Sequence, residues 1–261
     1  MAKIESPITL VGLGRSGTTL IERAFASTSS VCSCGETGGI IFGTYAGALD
    51  SYFHSPGLRY DSRELFAADV VRRLFSSLFN ISEASHWFHK PAGIPKMISW
   101  PNYKSKNDRF EFPTQWYWET LDAVFPNARY ITVLRNPWDI VTSRMIFSGW
   151  PEMGGWDDIK IMYDFISARS HNMEILFFED LVNDPYSEIS TLFGKLGVEH
   201  DEKLKEVVSK KHVPTEKNNE RNLLNELHGP EFDDATRELI SNIWQSHGRK
   251  FYSPEGFRSF F

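Results

Sequence analysis

An α/β fold with a central parallel sheet flanked by helices is predicted by three features of this sequence. Strand-like and helix-like segments alternate along the chain, as βαβ units require. Pro7 to Leu13 (PITLVGL) is a short, nearly continuous apolar run, the pattern of a strand buried on both faces. Arg129 to Leu134 (RYITVL) is rich in β-branched residues and runs directly into a helical segment from about Trp138.

The other elements follow from periodicity and punctuation. A glycine-rich turn after the first strand leads into a helix over Thr18–Ser27, with Leu20, Ala24 and Phe25 apolar. Asp61–Phe79 is predicted as a helix because Leu65, Ala68, Val71, Leu74, Phe75 and Leu78 fall at helical spacings. Residues 113–125 read as another helix, ended by Pro126-Asn127. Met173–Phe178 reads as a strand and Pro185–Leu196 as a helix stopped by Gly197. Glu231–Gln245 is the clearest helix of a polar last third. Trp100–Phe112 and Gly149–Asp158 are irregular and rich in Trp, Pro, Gly and charge; they are read as binding loops flanking the site described below.

A chain of 261 residues fits one large domain or two small ones. The net charge of −6 argues against a general nucleic-acid binder, which carries a basic face. A small anion is still compatible, since its site needs only a few local cations. Cys32 and Cys34 give no disulfide framework, and no second pair completes a zinc site, so a reduced, cytoplasmic setting is expected. The N-terminus (MAKIESPITLVGLG) lacks a signal-peptide cleavage region. No stretch approaches the ~20 apolar residues of a membrane span.

Chemistry enters at Gly12-Leu13-Gly14-Arg15-Ser16-Gly17-Thr18-Thr19-Leu20, between the first strand and the first helix. Glycines permit a tight turn, and N–H groups at a helix start surround an anion. Arg15 adds a permanent positive charge, and Ser16, Thr18 and Thr19 add hydroxyl donors. A nucleoside-triphosphate loop would end in Gly-Lys-Ser/Thr, where lysine reaches the terminal phosphates. Here Thr18 follows Gly17, which disfavours a metal-dependent nucleotide kinase or an ATPase.

This segment resembles the 5′-phosphosulfate loop of sulfotransferases that use 3′-phosphoadenosine 5′-phosphosulfate (PAPS), particularly the tyrosylprotein type and its bacterial relatives. The second signature of that family binds the 3′-phosphate and is matched by Arg135-Asn136-Pro137-Trp138-Asp139-Ile140-Val141-Thr142-Ser143. Arg135 at a strand end and Ser143 on the next helix are expected to converge on one phosphate. Phe177-Phe178-Glu179-Asp180-Leu181-Val182-Asn183-Asp184-Pro185 is similar to a third family segment, read as architecture in which Glu179 or Asp180 caps a helix or holds a loop. The matches run from about residue 7 to 197.

The resemblance implies a single domain over residues 1–261, a five-stranded parallel sheet, and a donor lying along the carboxyl ends of the strands. It implies PAPS as co-substrate, 3′,5′-adenosine bisphosphate (PAP) as product, and no metal. The cofactor set is Gly14, Arg15, Ser16, Gly17, Thr18, Thr19, Arg135 and Ser143. Lys90, in Trp87-Phe88-His89-Lys90-Pro91, resembles the family lysine that contacts the bridging oxygen and the sulfuryl group. Read alone, it is an exposed lysine after a short strand; Lys96 is a weaker rival. Cytosolic members carry a histidine two residues after this lysine, where this chain has Ala92. The tyrosylprotein type uses a glutamate in a segment resembling Cys34-Gly35-Glu36-Thr37, which makes Glu36 the candidate general base, ahead of His89 and His86. Burial at the edge of a desolvated pocket would raise the pKa of such a glutamate. The catalytic set is therefore Glu36, Lys90 and Arg15.

Lys211–Glu220 (KHVPTEKNNE) has the spacing of the family's dimerisation motif, with Glu216 replacing its central valine, and points to a homodimer. Lys210, Lys217 and Arg221 are late candidates for the phosphate site. The acceptor is a hydroxyl whose class stays open: carbohydrate, lipid, phenol, natural product or peptide tyrosine. Trp100, Trp116, Trp118, Trp150 and Trp156 suit stacking on such a group, although Trp116 and Trp118 sit in a predicted helix where at least one belongs to the core. A non-catalytic nucleotide-binding protein of the same fold is the alternative. Glu36 and Lys90 discriminate the two.

Overall fold

Five strands, β1 (Ile8–Val11), β2 (Val31–Glu36), β3 (His86–Lys90), β4 (Arg129–Leu134) and β5 (Met173–Phe177), form one parallel sheet in the order β2-β3-β1-β4-β5. The computed structural model describes residues 4–54, 57, 59–91, 114–148, 157–209, 234–248 and 251. The helices are α1 (Thr18–Ala26), α2 (Gly38–Phe53), α3 (Arg63–Leu78), α4 (Thr114–Val124), α5 (Pro137–Ser148), α6 (Asp157–Arg169), α7 (Phe178–Asn183), α8 (Pro185–Leu196), α9 (Lys203–Ser209) and α10 (Asp234–Ile243). Most of the two Trp-rich loops lies outside the described residues, as do Ala92, Lys96, Trp100, Trp150, Trp156, Lys210, the Lys211–Glu220 motif with Lys217, and Arg221.

Strand alternation divides the apolar side chains between two cores. On one face Ile8, Leu10, Phe88, Ile131 and Val133 pack with Ile21 and Phe25 of α1 and Phe193 of α8. On the other, Val11, Trp87, Tyr130 and Leu134 pack with residues of α2, α3, α4 and α6, including Phe42, Phe75, Tyr117 and Tyr163. A sheet covered on both faces is what the continuous apolar run at residues 7–13 predicts. Trp118 is a core residue.

The predicted elements form, with some ends displaced. β4 and α8 have the predicted bounds, and α8 starts where the Asp184 carboxylate accepts from the Ser187 N–H at 3.0 Å. Ser62 caps α3 in the same way, its hydroxyl oxygen accepting from Leu65 N–H at 3.2 Å. β1 is shorter than predicted, because Gly12 and Leu13 already belong to the following loop. No helix among the described residues is long and apolar enough to cross a membrane.

Under the carboxyl ends of the strands runs a buried polar chain. His89 Nε2 meets Thr9 Oγ1 at 2.8 Å and its Nδ1 meets Thr37 Oγ1 at 2.9 Å, all three residues being fully buried. Burial drives the imidazole from its ordinary pKa of 6.5 to about 3. Between those values the unfolded chain binds a proton that the native protein does not, so stability is full above about pH 6.5 and falls as pH drops toward 3. One such group contributes about 1.4 kcal/mol per pH unit in that window. His89→Asn is therefore expected to lose about 2 kcal/mol less than the wild type between pH 6.5 and 5, by urea denaturation at both values. Equal losses would place the acid-sensitive group elsewhere.

Candidate active site

β1 and β4 are neighbours, yet the chain leaves them in opposite directions: from β1 toward β2 and from β4 toward β5. That divergence opens a crevice at the carboxyl end of an open α/β sheet, where ligands bind. The loop after β1 and the segment after β4 form its two sides.

The first side is the Gly12–Thr18 turn. Ser16 braces it, with both its N–H (3.3 Å) and its hydroxyl (2.7 Å) donating to the Leu13 carbonyl. Ser16 is thus committed within the loop, and Thr18 is buried, whereas Gly14 and Thr19 are exposed. Arg15 takes φ 75°, and among the described residues it alone does so without being glycine. Such a conformation in a long side chain is strained and marks functional turns. Gly17 at φ 94° opens α1, and no side chain caps that helix. Leu20 N–H turns back onto the Gly17 carbonyl at 3.0 Å, so it is the N–H groups of Thr18 and Thr19 that are left to face solvent or an anion.

Gly17 has a second reason to be glycine. A Cβ there would stand 2.8 Å from Cδ2 of Phe178. Gly17→Ala combines this collision with a left-handed φ and is expected to destabilise the protein by about 1–3 kcal/mol. Thermal unfolding would show it as a lowered Tm, and an unchanged Tm would contradict this packing.

The second side carries Arg135, which follows β4, and α5. The Asn136 side-chain oxygen accepts from Trp138 N–H at 2.9 Å, while Glu179 Oε1 accepts from Asn136 N–H at 3.3 Å. Glu179 thus holds a loop, as its sequence context suggests. Burial raises the pKa of Glu179, partly opposed by hydrogen bonds from its own backbone and that of Asn136. Burial likewise raises that of Asp139, partly opposed by the Arg135 charge.

Arg15, Arg135 and Ser143 do come together, but through Arg15. Arg135 Nη1 donates to the Arg15 carbonyl at 2.7 Å, and Arg15 Nε donates to Ser143 Oγ at 3.1 Å. The expected convergence of Arg135 and Ser143 is thereby a three-residue clasp across the crevice. The Arg135 guanidinium also lies 4.0 Å from the ring centre of Phe178. Phe178, read from sequence only as part of a structural segment, supports both sides: it bounds Gly17 and carries Arg135.

The third component lies at the ends of β2 and β3. Glu36 and Lys90 are register partners, reached through an irregularity between Ser33 and Glu36 where Gly35 adopts φ 66°. Such a bulge re-aims the next side chain. Lys90 is 7% exposed, so the exposed-lysine reading is corrected: it ends β3 and is enclosed. Its Nζ lies 2.8 Å from Glu36 Oε1 and 2.7 Å from Glu22 Oε2. Burial alone would lower its pKa, but hydrogen bonds and charge from Glu22 and Glu36 outweigh burial and raise it. Lys90 is held as an ammonium.

The Glu36 side chain is 62% exposed, against the expectation of a desolvated pocket edge. Glu36 is oriented by its ion pair rather than by burial. Glu22 lies outside every segment that resembles a family signature. Its one signal is its place on α1, one turn beyond Thr18. His89 is a core hydrogen-bonder and His86 bonds the Gly197 carbonyl at 3.0 Å, so both have structural roles. Cys32 and Cys34 are free thiols.

A family model described as "Sulfotransferase family" matches residues 7–202. Two solved structures resemble the chain over nearly its whole length. The sulfotransferase domain of the Synechococcus PCC 7002 olefin synthase shares 15% identity, with 95% of this chain and 96% of that one covered, at a TM-score of 0.56. The sulfotransferase domain from the curacin biosynthetic pathway also shares 15% identity, with 95% and 99% covered, at a TM-score of 0.55. At such identity the likeness establishes the fold. No curated protein matches this chain.

Proposed function

The chain belongs to the sulfotransferase family, and from that premise we propose that it moves a sulfuryl group from PAPS onto an acceptor hydroxyl, as a single domain spanning residues 1–261. The observation that carries the reading is the joining of two cationic segments across the crevice, Arg15 to Ser143 and Arg135 to Arg15, beside a buried lysine paired with a glutamate.

The residues present fit such a donor. The uncapped start of α1, with Gly14, Gly17 and Thr19 beside it and Ser16 and Thr18 shaping the turn, suits a 5′-phosphosulfate. Arg135 and Ser143 suit a 3′-phosphate, and Arg15 bridges the two ends. When bound, PAPS supplies the sulfuryl group and a phosphate leaving group. Lys90, an enclosed ammonium, supplies the positive charge needed where the leaving oxygen gains charge. Glu36 accepts the proton of the acceptor hydroxyl, leaving the O–H electron pair on the attacking oxygen. The acceptor is a hydroxyl compound; its class is a matter for a screen.

The test is incubation with sulfur-labelled PAPS and a panel of carbohydrate, phenol, lipid alcohol and tyrosyl-peptide acceptors. Transfer of label to at least one class is expected. PAP binding without transfer to any class, or to water, would favour a nucleotide-binding protein that has lost turnover.

A further inference from the structure

Two carboxylates grip one lysine, and their environments differ. Glu22 and Glu36 lie 2.7 and 2.8 Å from Lys90 Nζ, yet their side chains are 26% and 62% exposed. Glu22 rises from α1, whose apolar face, Ile21, Ala24 and Phe25, is wedged against the sheet. Glu36 is the last residue of an edge strand, beyond a backbone irregularity. A Cβ on Gly35 would stand 3.6 Å from Glu22 Oε1, so the glutamate passes close beside the β2 backbone to reach the lysine.

Both pairs cannot persist through the proposed reaction. Once Glu36 takes the acceptor's proton it becomes neutral, and its charge-assisted hold on Lys90 ends. A lysine with no other partner would then be free to swing among its rotamers at the moment its charge is needed. We infer that Glu22 is a positioning residue: it anchors the Lys90 ammonium at the end of β3, so that Glu36 can exchange its ion pair for a proton without releasing the lysine. This rests on the reading of Glu36 as base. Glu22 touches neither donor nor acceptor in this account; it acts through Lys90. The more enclosed pair, on the more firmly packed element, is the one that remains.

Hydrogen exchange of the Lys90 Nζ protons tests this without any acceptor or donor. It is read by NMR on protein labelled with 15N-lysine at neutral pH, the signal being assigned with Lys90→Met. Glu22→Gln is expected to speed that exchange about tenfold or more, and Glu36→Gln about threefold or less, since an enclosed charge-assisted bond protects more than an exposed one. Glu22→Asp, which keeps the charge on a shorter arm, should fall between wild type and Glu22→Gln. Should Glu22→Gln not fold, Glu22→Asp alone decides: a wild-type exchange rate overturns the inference. So does an effect of Glu36→Gln equal to or larger than that of Glu22→Gln. Calorimetry with PAP on the same wild-type sample keeps the two questions apart. Failure to bind PAP removes the functional reading, whereas the exchange pattern alone decides which carboxylate anchors the lysine.

Discussion

Glu36→Gln is expected to lower sulfuryl transfer by about 10²–10⁴-fold while leaving PAP affinity within about twofold. The carboxamide has nearly the same shape as the carboxylate but does not accept the acceptor's proton. The substitution also removes one of the two charges on Lys90, whose Nζ lies 2.8 Å from Glu36 Oε1. The lysine keeps Glu22 at 2.7 Å, so the leaving-group cation stays in place and the loss falls on proton abstraction. PAP release from PAPS, with an acceptor identified on the wild-type protein, measures the effect on turnover. Near-normal turnover would move the base to another residue. Weakened PAP binding together with lost turnover would instead mean that Glu36 supports the donor site.

Arg15→Ala and Arg135→Ala are each expected to weaken PAP binding by about 10–150-fold, the equivalent of about 1.5–3 kcal/mol for a lost charge-assisted contact. The two arginines share one clasp: Arg135 donates to the Arg15 carbonyl, and the Arg15 side chain donates to Ser143. Residues coupled in this way give non-additive effects. The double variant should therefore lose less than the sum of the two single losses. Calorimetric titration of all three variants with PAP makes the comparison. Unchanged affinity in both single variants would remove the crevice from the account.

The sheet was legible where its strands declared themselves. Residues 7–13 and 129–134 are apolar or β-branched because they are central strands covered on both faces, and the loops after them carry Arg15 and Arg135. β2 (VCSCGE) is not legible, because Ser33, Gly35 and Glu36 leave it without the apolar run that marks the other edge strand, β5 (MEILF). Its place depends on β3, over fifty residues away in sequence, and no local pattern announces such a pairing. α2 (GGIIFGTYAGALDSYF) was missed for a different reason. Its glycines dilute helix propensity, yet Ile41, Phe42, Tyr45 and Ala48 place a buried face on the core, and that packing overrides propensity.

The same division runs through the site. Arg15, Ser143, Arg135, Glu36 and Lys90 are recognisable because each lies in a short segment resembling a family signature. Glu22 and Phe178 are not, since their roles arise from the crossing of elements. Glu22 reaches Lys90 only because β2 lies beside β3 and α1 packs over both. Phe178 meets Gly17 only because β5 ends alongside β4. The setting of two recognised residues also needs the fold: Lys90, which read alone is an exposed lysine, is enclosed, and Glu36, expected at the edge of a desolvated pocket, has a largely exposed side chain.

The central claim is a site for a nucleotide bearing both a 5′- and a 3′-phosphate, and calorimetric titration of the purified protein with PAP, ADP and AMP in the absence of magnesium tests it most directly. Binding of PAP at least about tenfold tighter than ADP is predicted, since only PAP offers a 3′-phosphate to Arg135 and Ser143. Equal binding of PAP and ADP, or binding of ADP alone once magnesium is added, would contradict the sulfotransferase account and favour a metal-dependent nucleotide kinase.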